Sequence, residues 1–149
     1  MLQFRAFQKI VLWPNIDAGT DDVSKGIRTF REHHYTANFH YNRNFTPEDY
    51  ARVLNNCVCA VGNSSSFIRE GAFLGVPSVI VGDRQEGREH GPNVLFADYD
   101  SQEISLKVCQ QIEHGRYESQ KIFGYGDAGV KIANKLVEVK LDRYKRMIY

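Results

Sequence analysis

The sequence predicts an α/β fold, a Rossmann-like parallel sheet with helices on both faces. Short apolar runs alternate with longer amphipathic stretches, the pattern of repeated strand–helix units. Several of the apolar runs are continuous rather than alternating, as in strands buried on both faces. Small-residue polar loops follow three of the runs, and open parallel sheets keep their ligand sites beyond the carboxyl ends of their strands.

The elements follow in order. Residues 9–13 (Lys-Ile-Val-Leu-Trp) read as a buried strand closed by Pro14-Asn15. Asp21 and Asp22 precede a helix with Val23, Ile27 and Phe30 on one side and Lys25, Arg28 and Arg31 on the other. Residues 37–41 form a weaker strand. Thr46-Pro47-Glu48-Asp49 starts the next helix, with Thr46 as N-cap, proline at the first position and acids in the first turn. It carries Tyr50, Val53 and Leu54 into a strand at 58–61. A helix at about 67–74 ends at Gly75 and Pro77, and a buried strand at 78–81 follows. A short strand at 93–96 and helices near 101–113 and 127–137 complete the pattern, with no repeat or linker. The basic stretch from Lys140 to Arg146 reads as a solvated helix end.

Composition narrows the function classes. A chain of 149 residues fits one domain with one sizeable core. A net charge of +1 gives no electrostatic case for nucleic acid or a membrane as partner. No apolar run approaches the roughly 20 residues that span a bilayer, and the first residues lack the pattern of a signal peptide. Cys57, Cys59 and Cys109 read as buried, reduced thiols, and a cytoplasmic location is expected. The five histidines show no metal-ligand spacing, so neither metal nor cofactor is expected.

The most informative segment is Gly62-Asn63-Ser64-Ser65-Ser66-Phe67-Ile68-Arg69-Glu70. A strand that stops at a small-residue turn and feeds a helix directs free N–H groups and the positive end of the helix dipole at one spot. Ser66 reads as the N-cap, and the two serines before it exceed what one helix start needs, which favours contact with phosphate. Glu70, placed near the start of that helix, suits a sugar diol; the helix dipole is the alternative reason for an acid there. The loop Gly82-Asp83-Arg84-Gln85-Glu86-Gly87-Arg88 reads either as a solvated run of local ion pairs or as an arginine site for a diphosphate.

Three strings occur in order: Pro14-Asn15-Ile16-Asp17-Ala18-Gly19, the serine segment, and Gly82 to Arg88 with Gly91-Pro92-Asn93-Val94. Together with Gly124-Tyr125-Gly126-Asp127-Ala128 they resemble the UDP-N-acetylglucosamine 2-epimerase family, most closely its hydrolysing branch, from about residue 9 to 137. The resemblance implies the second domain of a two-domain, glycosyltransferase-B-type enzyme that releases N-acetylmannosamine or a related sugar for sialic or legionaminic acid synthesis. Carried over by motif, Asn15 lies near the nucleotide and Tyr50 packs at the uracil or its rim. Ser64 and Ser65 bind the diphosphate, Glu70 the ribose hydroxyls and Arg84 the leaving diphosphate.

Two departures matter. Phe67 stands where the family usually has glycine, and a ring there would crowd the phosphate. The chain is also less than half of such an enzyme. The catalytic carboxylates of the first domain, and the opening strand of the second, are expected to lie outside it. The expected partners are a UDP-sugar, the missing catalytic domain or a complementing chain, and a second copy through the exposed cleft face. A non-catalytic UDP-binding module and a glycosyltransferase C-terminal domain are the alternative readings.

Overall fold

A computed structural model describes residues 4–14, 20–34 and 38–140. Its elements are β1 (Lys9–Leu12), α1 (Thr20–His33), β2 (Phe39–Asn42), α2 (Pro47–Asn56), β3 (Ala60–Gly62), α3 (Ser65–Leu74), β4 (Ser78–Val81), β5 (Val94–Ala97), α4 (Ser101–His114) and α5 (Ala128–Glu138). The fold is α/β, and every strand pairing is parallel. Among the described residues the strands form two sheets, β1-β2 and β3-β4-β5, where the sequence predicts one.

The three-stranded sheet is covered on both faces, and β4 shows why. Its side chains alternate. Ile80 packs with Ile68 of α3 and Val94 of β5, while Val79 turns the other way to Ala97 of β5 and Val108 of α4. A third cluster, Leu54, Ala60 and Val76, joins α2 to this layer, with Tyr50 and Phe67 packed against it. Buried polar groups tie the layers together. Gln111 of α4 donates from Nε2 to the carbonyls of Ser78 (2.8 Å) and Asn93 (2.9 Å), and its Oε1 accepts from the Tyr117 hydroxyl (2.8 Å).

The two-stranded sheet is covered on one face only. Phe30 of α1 meets Phe39, with ring centroids 5.3 Å apart, and Arg31 lies over the Tyr41 ring. On the opposite face Ile10 is 46% and Leu12 36% exposed, so β1 is not the buried strand its composition predicts. The continuous apolar run is present, but no described element lies over that face. The same holds for α5: it buries no residue, and Val130, Ile132, Leu136 and Val137 are all exposed.

Local signals behave as their chemistry dictates at α2. Thr46 Oγ1 accepts from the N–H of Asp49 at 3.2 Å, with Pro47 in the first turn. At the cysteines the expectation divides. Cys57 and Cys59 are half-buried free thiols, whereas Cys109 is exposed on the solvent side of α4. Burial, with a smaller contribution from Cys57, pushes the Cys59 thiol from its ordinary 9.0 to about 12. The folded chain therefore keeps a proton that the unfolded chain releases above pH 9, and this contribution to stability falls as pH rises from 9 towards 12. Urea unfolding at pH 8 and pH 10.5 is expected to show a steeper loss for the wild type than for Cys59→Ala; equal losses would remove Cys59 as the source.

Candidate functional site

The candidate site lies at the carboxyl ends of β3 and β4. β3 ends at Gly62, whose φ of +147° is one that side-chain-bearing residues rarely adopt, and the chain turns through Asn63 into α3. The N-cap of α3 is Ser64, not Ser66, and the helix begins at Ser65, two residues earlier than the sequence predicts. Ser64 Oγ accepts from the N–H of Ser66 at 3.3 Å. Phe67 sets this phase. Its ring packs against both the Leu54 and the Ile68 clusters, and it would lie 3.4 Å from a Cβ at Gly62. The ring is therefore held against the core beneath the turn.

The earlier start changes the setting of the other residues. Ser65 is the first residue of α3, and its N–H has no partner within the helix by construction. Glu70 falls in the second turn and is exposed, beyond the strong reach of the dipole, which weakens the helix dipole as the reason for an acid at that place. Five residues apart, Ser65 and Glu70 are displaced by about 7.5 Å along the helix and by about 140° around it. Ser65 shares a face with Ile68 and Arg69, and with Arg88, Glu89 and Phe123 these line an open cavity of about 230 Å³. The Arg69 guanidinium stands 5.7 Å from the centroid of the Phe123 ring.

The charged loop after β4 is joined to the serine turn by a residue that the sequence reading passes over. Gln85 is 2% exposed, and its Nε2 donates to the carbonyl of Asn63 at 2.8 Å. A trans peptide unit points its C=O and N–H in opposite directions. Holding the Asn63 carbonyl therefore fixes the direction of the Ser64 N–H at the mouth of the turn. The loop itself is two successive turns, closed by Glu86 N–H to Asp83 O (2.8 Å) and Arg88 N–H to Gln85 O (3.3 Å). Arg84 lies exposed at its outer side. Of the two readings of this loop, a purely solvated run does not describe Gln85, whose amide is buried. Only a polar residue at the centre of a charged run hints at it.

Tyr50 reaches the same turn from α2. Its ring is half-buried against the Leu54 cluster, and its hydroxyl is hydrogen-bonded to Ser66 Oγ, which in turn lies 2.8 Å from Ser64 Oγ. Asn15 lies outside the described residues, so the structure brings together Tyr50, Ser64 and Ser65, sets Arg84 on the adjoining loop, and leaves Glu70 along the helix. Phe123 and Arg88 come to the site only through folding. The segment before Phe123 is strapped to the end of α3 by Gln120 N–H to Ala72 O (2.8 Å) and Ser119 Oγ to Phe73 O (2.6 Å). Among the described residues no group of three or more His, Cys, Asp or Glu side chains is placed to hold a metal ion, and no helix is long and apolar enough to cross a membrane.

Comparison with known proteins gives one consistent answer. The family model described as UDP-N-acetylglucosamine 2-epimerase matches residues 2–137. A UDP-N-acetylglucosamine 2-epimerase of Neisseria meningitidis serogroup B is 30% identical over 122 residues, covering 79% of this chain and 30% of that protein. The polysialic acid biosynthesis protein P7 of Escherichia coli is 31% identical over 86 residues, covering 58% of this chain and 21% of that protein. The chain thus spans less than a third of either relative.

Proposed function

Because the chain belongs to the UDP-N-acetylglucosamine 2-epimerase family, we propose that it is the UDP-holding part of such an enzyme, of the hydrolysing kind that serves sialic or legionaminic acid synthesis in the cytoplasm. The observation that carries this reading is the serine turn at the head of α3, clamped by Gln85 to the loop that bears Arg84. The free N–H of Ser65, the hydroxyls of Ser64 and Ser65 and the dipole of α3 receive the diphosphate. Glu70, further along the helix, accepts hydrogen bonds from the ribose diol, a displacement that suits the length of a nucleoside diphosphate. Asn15 is assigned beside the nucleotide by the resemblance alone.

The chemistry asked of these groups is electrostatic. When UDP leaves the anomeric carbon of the sugar, negative charge grows on the departing phosphate. Arg84 and the helix terminus stabilise that charge more strongly in the transition state than in the ground state. The carboxylates that handle the proton at the sugar's C2 belong to a part of the enzyme outside this chain.

The split sheet supports the same division. A parallel strand inserted between β1 and β3 would give the doubly wound order 3-2-1-4-5-6, in which the ligand crevice lies at the reversal. The uncovered faces of β1 and α5 are surfaces that the remainder of the enzyme would bury.

Calorimetric titration of the purified chain is expected to show UDP binding, and incubation with UDP-N-acetylglucosamine to show no turnover. Steady release of N-acetylmannosamine by the chain alone would overturn the proposed division of labour. Absence of UDP binding would overturn the site.

A further inference from the structure

Three hydroxyls run in a line through the turn: Tyr50 Oη, Ser66 Oγ and Ser64 Oγ. We propose that Tyr50 is a positioning residue that sets the direction of this relay, so that the Ser64 hydroxyl, with both lone pairs occupied, can only donate to an incoming phosphate oxygen. This deepens the proposed nucleotide site and rests on that reading for the identity of the acceptor.

The direction follows from counting donors and acceptors. Each hydroxyl has one proton to donate and two lone pairs. The line can run from Tyr50 to Ser66 to Ser64, or the other way. In the reverse direction Ser66 donates to Tyr50, and the phenolic proton needs another acceptor. Among the described residues Ser66 is the hydrogen-bond partner of that half-buried hydroxyl, so only the forward direction gives the phenolic proton an acceptor within the described fold.

In the forward direction Tyr50 donates to Ser66 and Ser66 to Ser64. Ser64 Oγ also accepts the N–H of Ser66 at 3.3 Å, which fills its second lone pair. What is left to Ser64 is its own proton, at an exposed position on the helix N-cap. A serine whose proton is free and whose acceptors are filled favours an anion over a donor ligand. Hydrogen bonds in series also polarise one another towards the charge. The bound tyrosine ring is fixed by the Leu54 cluster, so the head of the relay is held by packing rather than by the ligand.

The test is a double-mutant cycle on the whole chain, with UDP and uridine as probes. Tyr50→Phe keeps the ring in its cluster and removes only the hydroxyl. It is expected to weaken UDP binding about tenfold at most, and at least about twofold, the range for one neutral hydrogen bond. Uridine binding, read by ligand-observed NMR, is expected to be unchanged. In a Ser64→Ala background the same change should alter UDP affinity less than about twofold, because the two act through one path. Equal losses for uridine and UDP would place Tyr50 at the base and overturn the relay, as would full additivity with Ser64→Ala. The ligand-free chain gives an independent reading. The ring-carbon Cζ resonance lost in Tyr50→Phe should carry the shift of a donating phenol, and an accepting phenol overturns the proposal. A donor signal in a chain that binds no UDP would support the relay while overturning the nucleotide reading.

Discussion

Replacing Ser65 and Arg84 together by alanine is expected to weaken UDP binding by about 3 kcal/mol or more, taking roughly 1.5–3 kcal/mol for each hydrogen bond to a charged group. That is a loss of at least about 100-fold in affinity. The two residues approach from different segments: Ser65 opens α3, and Arg84 lies on the loop after β4. Neither side chain supports the core, so circular dichroism and the melting temperature should stay near wild type. Some binding should persist, because the N–H groups and the dipole of α3 survive both substitutions. Unchanged calorimetric affinity in the folded double variant would remove the diphosphate from this turn.

Gly75→Ala is expected to cost more than about 3 kcal/mol of stability, lowering the melting temperature by roughly 10 °C for a chain of this size. Gly75 ends α3 with φ +66°, the left-handed conformation that costs other residues about 1–2 kcal/mol. A Cβ there would stand 2.1 Å from the carbonyl oxygen of Tyr117. That neighbour is backbone and cannot rotate away. Relief requires moving the 116–123 strap, which breaks the 3.0 Å bond from Tyr117 N–H to the Gly75 carbonyl. The same strap carries Phe123 to the cavity beside Ser65, so the variant should also disturb that wall of the site. Gly129→Ala is the control. Its Cβ would meet nothing within 4 Å inside α5, and helix propensity predicts unchanged or slightly raised stability. Equal melting of Gly75→Ala and wild type would mean that the strap does not lie against the end of α3.

Much of the fold is legible in the sequence because its signals are local. Thr46-Pro47 places the start of α2 to the residue, and the runs at 78–81 and 101–113 fall within a residue of β4 and α4. The start of α3 is misplaced for an equally local reason. Ser64, Ser65 and Ser66 are equivalent as caps, and nothing within the turn chooses between them. The choice is made by Phe67, whose ring must enter the core, and by Gly62, which lets the strand end where it does. Gln85 shows the opposite failure. Its neighbours Asp83, Arg84 and Glu86 are exposed and charged, as the composition of the loop suggests, while Gln85 itself is buried against a carbonyl 22 residues away.

The family, the strand–helix alternation and the run of serines at the head of a helix are legible in the sequence alone, because motif, propensity and capping are written within a few adjacent residues. Long-range packing settled which serine caps α3, that the Tyr50 hydroxyl joins the serine line, and that Gln85 and Phe123 belong to the same neighbourhood. It also decided that β1 and α5 leave apolar faces uncovered. These are contacts between segments far apart in the chain. Whether such contacts form is settled by which side chains fill the core together, and no short stretch of sequence carries that information.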